Sequence, residues 1–217
     1  MKNISITLVL LFIALIINAQ EATRSNDEIS TLFGKNKDTK LGWFVGFDNS
    51  YTQFGSRDVH MSGFNAGFII NHSFAVGFSG SGWTNRNSMY YNHVTDTAGA
   101  YLEGGFGRML FEITPFPQSP LHITFPIMLG GGGASYITED DYFEWDDDDW
   151  DTYHKNLDTD LFFSFEPGIR AELNVFRFMR LNAGVSYRYV SGLELVNTPS
   201  DLMNNLSATV GLKFGKF

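Results

Sequence analysis

The sequence predicts an all-β fold, an eight-stranded antiparallel transmembrane β-barrel with both termini on the periplasmic side. Three observations carry this expectation: long stretches of period-2 alternation, an N-terminal export signal, and no apolar run beyond that signal long enough for a spanning helix. The signal occupies residues 1–19. Lys2 supplies the positive charge, Leu8 to Ile17 is an unbroken apolar run of ten, and Ala19 places a small residue at the cleavage point. Ten apolar residues are too few to cross a bilayer as a helix. Cysteine is absent, which excludes a lipid-modified N-terminal cysteine, a disulfide framework and thiolate metal sites.

Residues 20–40 are polar and charged, with one short apolar kernel at 29–33, and read as a flexible periplasmic leader. The barrel itself is expected over 41–217. Its clearest strand is 159–175, where Leu161, Phe163, Phe165, Pro167, Ile169, Ala171, Leu173 and Val175 alternate with polar, charged or small residues. The next, 179–189, sets Met179, Leu181, Ala183, Val185, Tyr187 and Tyr189 against Arg180, Asn182, Gly184, Ser186 and Arg188. The last sets Leu206, Ala208, Val210, Leu212 and Phe214 against Ser207, Thr209, Gly211, Lys213 and Gly215. Five further strands fall near 42–53, 60–70, 73–83, 98–113 and 121–136.

The connections are expected to alternate in length: a modest loop near 55–58, a tight turn at Asn71-His72, and a longer loop at 84–96. A proline-bearing turn follows at 115–120, then a loop across 138–157, a short turn near 176–177 and a last loop at 192–204. Short turns on one side and long loops on the other are the rhythm of an outer-membrane barrel. A soluble barrel would place its apolar face inward. In lipid the pattern inverts, because hydrocarbon lies outside. Trp43, Trp83, Tyr187 and Tyr189 are expected in an interfacial girdle.

The ending Leu212-Lys-Phe-Gly-Lys-Phe217 resembles the aromatic-terminated closing strand of outer-membrane barrels. From about Thr31 the chain also resembles a family of small outer-membrane β-barrel proteins of unknown function from Gram-negative bacteria. The likeness lies in Thr31-Leu-Phe-Gly34, Ile69-Ile-Asn-His-Ser-Phe-Ala75, His122-Ile-Thr-Phe-Pro126, Glu166-Pro-Gly168, Glu172-Leu-Asn-Val175 and Tyr187-Arg-Tyr189. The resemblance implies fold and location in the cell outer membrane, and brings no catalytic or ligand residues.

Glu103, Arg108, Glu166, Arg170, Glu172, Arg180, Arg188 and Lys213 are expected to face the lumen. There they would form a selectivity filter or proton path, or a packed ion-pair plug. The plug is favoured because eight strands leave an interior just wide enough for side chains. In that plug Arg170 would balance a carboxylate such as Glu166 or Glu172, since a buried charge must be compensated. His60 and Ser62, two apart on one strand face, match the His-x-Ser pair of an outer-membrane lipid deacylase, without the surrounding motif. The glycine runs 104–107 and 130–133 open no helix after a strand, so they are not phosphate cradles, and bends or room for a bulky neighbour are the expected uses. No cofactor motif and no basic, aromatic-laced nucleic-acid patch is found.

The formal net charge is −9, and nine carboxylates lie within 139–151: Glu139, Asp140, Asp141, Glu144, Asp146, Asp147, Asp148, Asp149 and Asp151. Mutual repulsion predicts an extended, mobile surface loop. Its spacing departs from the EF-hand pattern, so any Ca²⁺ affinity is expected in the weak, millimolar-order range. Outer-membrane lipid and divalent cations are therefore the expected partners. Three functional classes follow: a structural or surface-interaction barrel that is not catalytic, a narrow channel, or a membrane-embedded lipid acyl hydrolase.

Overall fold

The computed structural model describes residues 39–84, 100–143 and 150–217, with only the backbone described at 139–143 and 150–155. Over Lys40–Phe217 eight antiparallel strands close into a barrel in sequence order. They are β1 (Leu41–Phe54), β2 (Arg57–Ile70), β3 (Phe74–Trp83), β4 (Tyr101–Ile113), β5 (Leu121–Phe143), β6 (Trp150–Phe176), β7 (Met179–Ser191) and β8 (Asn205–Lys216). Each strand pairs with its neighbours in sequence, and β1 closes on β8 from Trp43↔Lys216 to Thr52↔Ser207. Closure leaves no sheet edge, which hydrocarbon requires because it offers no partner to a free N–H or C=O. The export signal and the leader as far as residue 38 lie outside the described residues.

The expected alternation runs through the wall. On β7, Leu181, Ala183, Val185, Tyr187 and Tyr189 are exposed while Arg180, Asn182, Ser186 and Arg188 are buried. On β6, Leu161, Phe163, Phe165, Ile169, Leu173 and Val175 face out, and Ser164, Glu166, Arg170 and Glu172 face in. Phe47, Phe64, Phe68, Phe78, Leu129 and Val210 join them as exposed large hydrophobics. A soluble protein rarely exposes contiguous apolar area of that extent. Trp43, Phe176 and Phe178 stand exposed toward the end that carries Lys40 and Phe217, and Tyr187 and Tyr189 toward the opposite end. This is the placement of two aromatic girdles.

Trp83 departs from the expected girdle: it is only 4% exposed. It shares the inward parity of Ser79 and Ser81 on β3, opposite to the exposed Phe78. Two connections also differ. The first is a bare turn at 55–56, with Gly55 at φ 58°, and no modest loop. The acidic stretch is no simple twenty-residue loop either, because β5 and β6 continue as a hairpin to Phe143↔Trp150 past a register shift at Tyr136/Ile137. Across that hairpin Glu139 pairs with His154, Asp140 with Tyr153, Asp141 with Thr152 and Tyr142 with Asp151. Among the described pairs no carboxylate directly opposes another, and aromatic and β-branched partners favour pairing. At the terminal end, Asn71 and His72 both adopt positive φ, 53° and 61°, as a tight hairpin turn requires.

Candidate functional site

Alternation carries the polar half of every strand into the barrel, so the interior is the candidate site. It is built in layers. Toward the loop end lies an apolar layer of Phe54, Val59, Met61, Trp83, Leu102, Phe106, Tyr136, Phe162 and Val190. Rings run across it edge to face: Phe54 to Trp83 at 5.1 Å and 90°, and Phe106 to Phe162 at 5.3 Å and 69°. These rings need space at the paired position of the neighbouring strand, Gly104 beside Trp83 and Gly132 beside Phe162. A Cβ on Gly104 would sit 2.6 Å from the Trp83 ring, and one on Gly132 2.6 Å from Phe162, so these glycines answer to bulky neighbours.

The connection 192–204 folds over this layer. Leu193, Leu195 and Met203 bury their side chains in it. It is tied down by Gly55 N–H to the Leu202 carbonyl (2.8 Å), Val190 N–H to the Asn204 side-chain Oδ1 (2.6 Å), and Val196 N–H to Asp158 Oδ2 (2.7 Å). Asp160 accepts the Glu194 N–H, and the Tyr136 and Thr198 hydroxyls bond at 2.7 Å.

Midway along the barrel is the first ionic cluster. Glu166 Oε2 accepts from Arg108 Nη1 at 2.5 Å and from Arg188 Nε at 3.1 Å, and Oε1 accepts from Ser186 at 2.6 Å. Arg188 Nη2 donates to Ser207 Oγ at 2.7 Å, and its guanidinium lies 5.0 Å from the Phe106 ring centre. Arg170 pairs with Asp48 at 3.0 Å, and Asn65 donates to the same Asp48 oxygen at 2.8 Å. Arg170 therefore balances Asp48 and neither Glu166 nor Glu172, because β1 and β6 bring residues 122 positions apart together across the lumen.

The second cluster lies toward the terminal end. Lys213 donates to both oxygens of Glu112, at 2.8 and 2.7 Å, and to Glu172. Glu172 also takes Arg180 at 3.3 Å and has His122 Nε2 at 3.4 Å. Phe217 lies under Arg180, its ring centre 3.8 Å from the guanidinium carbon. The terminal aromatic thus turns to the interior while Phe214, paired with Val45 and Met179, continues the outer series.

Seven of the eight expected lumenal residues are buried in these clusters. Glu103 is not among them. It sits at the opposite parity from Arg108 and Glu112 on β4, on the outward side. Asp48, Glu112 and His122 belong to the interior and escaped sequence reading. The usable signal was parity: Asp48 shares a face with Phe44 and Thr52, Glu112 with Arg108, and His122 opposes Leu121 and Ile123.

His60 and Ser62 share one face of β2, as expected, and that face is the outward one. The Ser62 hydroxyl donates to Asn49 Oδ1 at 2.9 Å, and the His60 ring packs on Tyr51 at 5.3 Å. Among the described residues no hydrogen bond joins His60 to Ser62, so the pair lacks the base-to-nucleophile link that acyl chemistry needs. Side chains of the acidic segment 139–151 lie outside the described residues, and among those described no cluster of three or more potential metal ligands occurs.

Solved structures of similar fold are small outer-membrane barrels. Neisserial surface protein A superposes with a TM-score of 0.51 at 14% identity, over 83% of this chain and all of that one. The fold is the closed eight-stranded outer-membrane barrel. The N-terminal β-barrel domain of Pseudomonas aeruginosa OprF (TM-score 0.44, 10% identity, 82% and 99% covered) and Yersinia pestis Ail (0.43, 9%, 82% and 99%) are more distant. No protein-family model and no curated protein matches the chain. The likeness to small outer-membrane barrels therefore stands at the level of fold.

Proposed function

We propose that this chain is an exported barrel of the outer membrane with a structural or surface-interaction role, not an enzyme, its lumen filled by charged and aromatic side chains. The short connections and both termini face the periplasm, and the longer hairpin and loop face the cell exterior. One observation carries the reading: an exposed apolar belt encloses a charged interior, the inverse of a soluble protein. Folded protein in detergent should migrate differently on a gel before and after boiling, and should sediment with membranes. Reconstituted in planar bilayers it should conduct negligibly, because aromatic rings and two ionic clusters occupy the lumen. Steady conductance would favour the narrow channel, and unchanged migration with a soluble periplasmic fraction would remove the membrane assignment.

The acidic hairpin extends this role to the surface. Its nine carboxylates attract hard cations weakly, and cations bridging to lipid phosphates would seat Trp145 and Trp150 at the interface. Adding millimolar-order Ca²⁺ should change tryptophan fluorescence more than Mg²⁺ does. An equal response to NaCl at matched ionic strength would reduce it to screening.

A further inference from the structure

The two ionic clusters differ in their charge balance. Toward the terminal end, Lys213 and Arg180 meet Glu112 and Glu172, two charges of each sign. Midway, Arg108, Arg170 and Arg188 meet only Glu166 and Asp48. One buried positive charge has no counterpart. A lysine or histidine in that position could lose its proton, but arginine does not. Protonating a carboxylate would enlarge the excess. An unbalanced charge in a poorly solvated interior is heavily penalised, so the remedy must come from outside the chain.

The place for it is present. A small cavity of about 20 Å³, above the minimum for one water-sized occupant, is lined by all three arginines. Ser50, Ser79, Ser81 and Thr209 also line it. Two guanidinium donors among these residues have no partner, Arg188 Nη1 and Arg108 Nε, and both side chains are at least nine-tenths buried. The hydroxyls of Ser50 and Thr209 bond each other at 2.8 Å, which leaves one of their two protons uncommitted. Asp48 and Glu166 border the cavity too: Glu166 is occupied by Arg108, Arg188 and Ser186, and Asp48 Oδ2 by Arg170 and Asn65, while Asp48 Oδ1 has no hydrogen-bond partner. Positive charge, spare N–H and O–H donors and single-atom volume coincide.

We propose that this cavity binds one monatomic anion of halide size, chloride in ordinary salt, held by Arg188 and Arg108 as the structural counter-ion of the barrel interior. The ion enters during folding and is trapped when the barrel closes. Its binding stabilises only the folded state, so stability follows halide concentration.

The test begins with the whole protein folded into detergent in sodium gluconate and titrated with NaCl or NaBr at constant ionic strength. The folded-to-unfolded ratio should stay nearly flat well below Kd and then rise in proportion to halide concentration, by about eleven-fold at ten times Kd. Crystals grown in bromide should give one anomalous peak in the cavity, within hydrogen-bond reach of Arg188. Ser207→Asp supplies the control. Arg188 Nη2 already donates to Ser207 Oγ, so a carboxylate there furnishes the missing charge and should abolish the halide dependence. Equal stability in halide and gluconate, a halide response unaltered in Ser207→Asp, or bromide crystals without the peak would each overturn the proposal. If Ser207→Asp does not fold, the bromide crystals of the wild type decide alone.

Discussion

Glu166→Gln should destabilise the barrel by about 3–5 kcal/mol, the cost of removing one partner from a buried ion pair. Glu166 is the single carboxylate shared by Arg108 and Arg188, and glutamine keeps its shape while removing its charge. Arg108 and Arg188 would then lie buried without a carboxylate partner, because Asp48, the one carboxylate left in the cluster, is paired with Arg170. The readout is the temperature or urea concentration at which the compact unboiled gel band is lost. Arg170→Ala should cost less, because the Asp48 side chain it leaves is 13% exposed and keeps Asn65. Glu103→Gln, on the outward face, should stay within about 0.5 kcal/mol. Equal midpoints for Glu166→Gln and Glu103→Gln would mean that the ionic layer does not hold the barrel together.

Val185→Arg should cost about 2–4 kcal/mol when the protein folds into a bilayer, as for an arginine at the midplane of a barrel wall. Val185 is exposed in the middle of β7, between Ile169 on β6 and Ala208 on β8. On a water-facing surface the same change would stay within about 0.5 kcal/mol. The size of the loss therefore separates hydrocarbon from water as the medium around the wall. A measured loss near zero in lipid vesicles would contradict a membrane-spanning β7. Tyr187→Arg, nearer the interface, should be milder on the same depth dependence.

Reading alternation located all eight strands, and most of their ends fall within a few residues of those read from sequence. Period 2 assigns faces without knowledge of neighbours, which is why Arg108, Glu166, Arg170, Glu172, Arg180, Arg188 and Lys213 were assigned inward correctly. The same rule, applied strictly, excludes Glu103 and admits Asp48, Glu112 and His122. Those misses came from weaker alternation in β1, β4 and β5, where glycine and aromatic residues blur the contrast.

The sequence by itself determined a closed antiparallel barrel with an apolar exterior, because strand period and the inverted pattern are local properties. Partners inside the lumen were decided only by the tertiary structure. Arg170 meets Asp48 from 122 residues away, and Trp83 and the 192–204 connection close over one end, because those contacts depend on register across the barrel. The acidic segment lies between the two levels. Its charge was legible from composition, but its pairing into a hairpin rests on cross-strand partners that repulsion within one strand does not reveal. Charge balance was the least legible of all. Five cations and four carboxylates line the interior, and only the assembled barrel separates them into one neutral cluster and one that needs an ion.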